Sequence, residues 1–81
     1  MATIRVISSR GDVQARWDIE RAETGDGEAQ AAVLAAERIF QRERARGATA
    51  FRLQPGEPAE RIDHFDWTAE QIVVVPRVTG G

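Results

Sequence analysis

Between Glu28 and Arg46 this 81-residue chain carries its one run of helical periodicity, and that run constrains everything around it. The stretch is rich in Ala, Glu, Gln and Arg, all good helix formers. Ala29, Ala32, Val33, Ala36, Ile39 and Phe40 recur at three- and four-residue spacing, which lays an apolar stripe along one side. Asp26 is placed to cap the start, and Glu28 suits the positive end of the helix dipole. Arg42, Arg44 and Arg46 suit the negative end, and Gly47 is a natural stop. A single stripe cannot bury itself. The rest of the chain has to cover it, and the alanines on the stripe allow a close approach.

The other segments read as strands. Ala2–Ser8 alternates Ala2, Ile4 and Val6 against Thr3, Arg5 and Ile7. Ser9-Arg10-Gly11-Asp12 suits a hairpin loop. Val13–Ile19 then sets Val13, Ala15, Trp17 and Ile19 against Gln14, Arg16 and Asp18, so an antiparallel hairpin is expected. Glu20–Gly27 is polar, holds two glycines and reads as a connection. After the helix, Ala48–Leu53 returns to strand character, with Phe51 and Leu53 flanking Arg52. Gln54-Pro55-Gly56-Glu57-Pro58 is a strong turn signal. Arg61–Phe65 reads as a short strand and Asp66–Gln71 as a polar turn or one helical turn. Ile72-Val73-Val74-Val75 is the most apolar run. It suits a central strand covered on both sides, or one whose outer face is a docking surface. The order predicts an α+β fold of two layers, a mixed four- to five-stranded sheet packed on one helix with the last strand in the middle. That is the β-grasp arrangement, with residues 1–76 as the domain and 77–81 as a flexible tail.

Composition removes several classes of function. There is no cysteine, so no disulfide, thiolate metal site or cysteine nucleophile is available. His64 is the only histidine, which leaves a zinc site short of ligands and predicts no metal and no cofactor. A net charge of −2 is unlike a nucleic-acid binder, which carries a basic stripe. No apolar stretch approaches ~20 residues, so no membrane partner is expected and the chain reads as cytoplasmic. All 11 basic residues are arginine. Codon bias in a GC-rich genome accounts for that, and so does avoidance of self-modification, since arginine offers no nucleophilic amine near neutral pH. On either account the N-terminus is the only primary amine in the sequence.

The end of the sequence carries the chemistry. Pro76 cannot donate to a sheet ladder, so pairing is expected to weaken there. Beyond it, Arg77-Val78-Thr79 leads to Gly80-Gly81, two residues without side chains that can thread a narrow channel. A carboxylate is a poor acyl donor until it is activated, usually as a mixed anhydride with AMP, after which it passes to a thiol, to sulfide or to an amine.

The element order and the Gly80-Gly81 ending resemble ubiquitin-like modifiers. The stretch Glu70-Gln71-Ile72-Val73-Val74-Val75-Pro76-Arg77-Val78-Thr79-Gly80-Gly81 also resembles the end of the bacterial sulfur-carrier proteins of molybdopterin and thiamine synthesis. The departures are Pro76-Arg77 where those carriers commonly have two prolines, and an arginine that does not lie immediately before the diglycine as it does in ubiquitin. The resemblance implies a bacterial protein modifier that is not itself an enzyme. An E1-like adenylating enzyme would spend ATP to activate the Gly81 carboxylate, with Gly80, Pro76, Arg77, Val78 and Thr79 lining its channel. An E2-like enzyme, a JAB-type peptidase and protein targets complete the implied set of partners. Two alternatives stand beside it: a sulfur carrier with a C-terminal thiocarboxylate, and a non-covalent β-grasp adaptor or phage-tail component.

Other residues fit plainer roles. Trp17 lies on the apolar row of a strand and reads as core. Trp67, in a polar turn, reads equally as core or as an interface anchor, and joins Val73 and Val75 as a candidate recognition patch. Asp63, His64 and Asp66 have no further ligands nearby in sequence. Arg38, Arg42, Arg44 and Arg46 read as a solvated helix end paired to Glu37 and Glu43, or as a docking patch for an acidic partner.

Overall fold

In the computed structural model the residues described are 1–7 and 11–77. Strands β1 (Ala2–Val6) and β2 (Val13–Trp17) are followed by helices α1 (Ile19–Glu23) and α2 (Gly27–Ala45), then by β3 (Thr49–Leu53), β4 (Glu60–Ile62) and β5 (Gln71–Val75). The strands form one mixed sheet in the order β2-β1-β5-β3-β4. β1 pairs antiparallel with β2 and parallel with β5, and β3 pairs antiparallel with both β5 and β4. The most apolar run therefore lies in the centre, as its composition predicts, and the fold is an α+β β-grasp.

The register follows the alternation. Ala2, Ile4 and Val6 stand opposite Trp17, Ala15 and Val13, so both apolar rows share the face that α2 covers. Ile72, Val74 and Ala50 extend that face, and Ala36 and Phe40 of α2 pack on it, all fully buried. Buried alanines at positions 2, 36, 48, 50 and 69 keep the two layers close. Burying a side chain such as Phe40 contributes ~1.5–3 kcal/mol, so a core of this size leaves little to spare. No helix among the described residues is long and apolar enough to cross a membrane.

Both ends of α2 are built as the sequence indicates. The Asp26 carboxylate accepts from the Ala29 backbone N–H at 2.8 Å. At the other end the Ala48 N–H donates to the Glu43 carbonyl at 3.0 Å and the Gly47 N–H to Arg44 at 2.9 Å. That is a Schellman closure with Gly47 in the left-handed region at φ +90°.

Two segments differ from expectation. β2 ends at Trp17, and Ile19 does not continue it: the Asp18 carboxylate accepts from the Arg21 N–H and opens α1, which takes Ile19 from the stretch read as strand and Glu20–Glu23 from the stretch read as a connection. The fourth strand covers Glu60–Ile62 rather than Arg61–Phe65. Phe65 turns inward instead, its ring 5.6 Å from Trp17 and 5.7 Å from Phe40.

Candidate functional site

β5 leads to the tail from the middle of the sheet. It runs parallel to β1, and the Ile7 N–H donates to the Val74 carbonyl at 3.0 Å, so β5 is held to its end. Val75 pairs with Thr49 at the start of β3, which brings the exit beside the end of α2. Pro76 is half-buried there. The aliphatic part of Arg77 crosses Gly47, with Cδ 3.2 Å from where a Cβ on that glycine would stand. Gly47 thus serves twice, as the left-handed residue of the cap and as the place that the Arg77 side chain crosses. Val78, Thr79, Gly80 and Gly81 lie outside the described residues.

The sheet face away from α2 is open. Val73 is half-buried and lies between Arg5 of β1 and Phe51 of β3, and Phe51 lies between Val73 and Arg61 of β4. Val75, at the edge of this row, is 38% exposed. Arg5 is held by the Asp12 carboxylate, which its Nε reaches at 2.7 Å. Phe51 therefore belongs beside the two valines. The signal for it was present in the sequence, since alternation through Thr49–Leu53 sets Phe51 and Leu53 opposite buried Ala50.

Trp67 is not brought together with Val73 and Val75. Its carbonyl accepts from Trp17 Nε1 at 2.8 Å, and the residue lines a shallow, mostly apolar hollow with Ala22, Gln30, Val33 and Leu34 of the helices.

The acidic groups after β4 are tied into ion pairs. Asp63 pairs with Arg44 at 3.2 Å, while Asp66 pairs with Arg52 at 3.0 Å and accepts from the Thr68 hydroxyl at 2.5 Å. Arg52 also pairs with Glu60. Partial burial pushes the Asp66 carboxyl up, but the bonds from Thr68 and Arg52 outweigh it and hold the group below the usual carboxylate range. Asp26 is also held low, by the Ala29 N–H first and the Arg21 guanidinium second. Among the described residues no three His, Cys, Asp or Glu are grouped to hold a metal ion.

Comparison with protein-family models, with curated proteins and with solved structures returned no match. What the chain can do chemically has to be argued from its own residues. The described residues supply a body packed on one core, an open face carrying Phe51, Val73 and Val75, and a central strand that ends beside the helix cap.

Proposed function

We propose that this chain is a ubiquitin-like protein modifier whose reactive group is the Gly81 carboxylate. The observation that carries the reading is the place of β5. The strand leading to Gly80-Gly81 is the central one, paired on both sides up to Val74 and Val75, so a partner that grips the body would know where the tail begins. The sequence from Pro76 to Thr79 gives reach, and the two glycines let the carboxylate enter a narrow catalytic channel.

The chemistry balances with ATP as co-reactant. A Gly81 carboxylate oxygen attacks the α-phosphorus of ATP in an E1-like enzyme, pyrophosphate leaves, and an acyl adenylate forms. A cysteine thiolate of that enzyme, or of an E2-like one, attacks the carbonyl and AMP leaves. A target amine displaces the thiolate and gives its proton to a nearby base, leaving an amide. A JAB-type peptidase would reverse the last bond by hydrolysis. Without lysine, the chain offers its partners no internal amine, so modifiers would attach singly or extend through the N-terminus. Val73 and Val75, with Phe51 between the strands, are the recognition surface in this reading, and Trp67 a separate anchor on the helical side.

The test compares N-terminally tagged protein with a version lacking Gly81, each recovered from its source cells under denaturing conditions. Heavier adducts that vanish with Gly81 are expected. Because Arg77 is the last arginine, trypsin should leave Val-Thr-Gly-Gly on the modified amine. An unconjugated chain with sulfur in place of one carboxylate oxygen would instead establish the sulfur-carrier reading. Two unmodified versions would leave the non-covalent adaptor.

A further inference from the structure

Where α2 ends, an open groove of about 360 Å³ lies beside the root of the tail. Its floor is apolar. Val6 and Ala48 are buried, Pro76 is half-buried, and Val13 at the start of edge strand β2 is exposed. Its rim is basic, with Arg42, Arg46 and Arg77 around it. The single carboxylate in the lining is Glu43, nearly buried, at 3.5 Å from both Arg42 and Arg46. Three guanidinium groups against one carboxylate leave two positive charges in excess, on a chain whose net charge is −2.

The helix end does not require this arrangement. Arg44 already serves the last turn, donating to the Ala48 carbonyl at 2.8 Å and pairing with Asp63. Arg42 and Arg46 keep 57% and 70% of their side chains exposed, and Arg77 comes from the segment that follows the central strand. An apolar floor with a guanidinium rim suits an aliphatic side chain flanked by carboxylates, which arginines bind through paired hydrogen bonds. The volume is at the small end of the ~300–1,000 Å³ typical of binding clefts, enough for a short peptide segment rather than a domain.

We propose that this groove docks an acidic peptide segment bearing an aliphatic side chain, carried by the protein that takes hold of the tail. The identity of that partner rests on the reading of Gly81 given above, whereas the docking chemistry rests on the groove alone. Charges on the rim speed encounter and make it salt-dependent, and contact with the floor sets the register.

The test titrates isotopically labelled full-length chain with the peptide acetyl-Glu-Asp-Leu-Val-Asp-Glu-amide and follows backbone amide shifts. Shifts are expected to cluster at Val6, Arg46, Ala48 and Arg77 and to shrink as salt is raised. The double variant R42E/R46E, checked for an unchanged melting curve, should lose about tenfold or more in affinity. R16E/R61E, which changes exposed arginines of β2 and β4 outside the groove lining, should lose less than about threefold. Equal losses in the two variants would overturn the proposal. So would shifts that avoid the groove, or an equal response to a single-stranded RNA hexamer. A chain lacking Gly80 and Gly81 should bind the peptide unchanged. Adducts without peptide binding would sink the docking site alone, and peptide binding without adducts would sink the modifier reading alone.

Discussion

At the scale of single residues, Trp17 does more than fill space. Its ring closes the end of the core against Phe65, and its indole N–H satisfies the Trp67 carbonyl across fifty residues of chain. Trp17→Ala is therefore expected to destabilise by ~3–5 kcal/mol in urea denaturation followed by Trp67 fluorescence. Trp17→Phe keeps a ring but loses the donor, so about 1 kcal/mol of the loss should trace to the hydrogen bond. Trp17 was legible as core because its strand alternates. Trp67 was not placed by the sequence, because a turn has no period from which to read a face. Asp66 gives a pH signature. Its folded-state pKa is depressed, so its contribution is present above the ordinary carboxylate value of ~3.9 and is lost as pH falls through the lower folded value. Between neutral pH and roughly pH 3, the urea midpoint of Asp66→Asn should fall less than that of the parent.

At the scale of elements, α2 was readable almost to the residue, since its stripe, its N-cap and its stop all agree. α1 was not, for a physical reason. One helical turn is too short to show a 3.6-residue period, and Ile19 continues the alternation of β2 by coincidence, while Asp18 uses its carboxylate to end the strand. β4 was read as a short strand but with the wrong bounds, Arg61–Phe65 for the observed Glu60–Ile62, because three paired residues leave too little pattern to fix an end. The end of α2 supports a sharper prediction. Gly47→Ala places a Cβ on a residue at φ +90° and 3.2 Å from Arg77, so a loss of ~1–2 kcal/mol is expected from the backbone conformation. Amide exchange should quicken at Ala48 and Arg77 together. Faster exchange at Ala48 alone would show that the cap and the tail root are independent.

At the scale of the whole molecule, the candidate site was half legible. The diglycine and the valines of β5 are sequence features, but the groove exists only because β1, β2, α2 and β5 bring their ends to one pole. No window along the chain contains it. The core draws on described residues no later than Val74, so a chain ending at Thr79 should melt within about a degree of the parent in calorimetry. A drop of several degrees would assign the last two glycines a structural role. Charge is distributed along the same axis. Arg42, Arg44, Arg46 and Arg77 lie where α2 and β5 end, with Glu43 among them, while Asp18, Asp26 and Glu28 lie where α1 and α2 begin, with Arg21 paired to Asp26. The parallel pairing of β1 with β5 has a mechanical consequence. The chain enters β1 at one pole and leaves β5 at the other, so tension between the two ends loads their ladder lengthwise. Thr3, Ile4, Arg5 and Val6 would have to slip past their partners in β5 together rather than unzip one by one. Forced unfolding is governed by its rate, and a molecule hauled by its tail would resist as a clamp resists, yielding late and all at once.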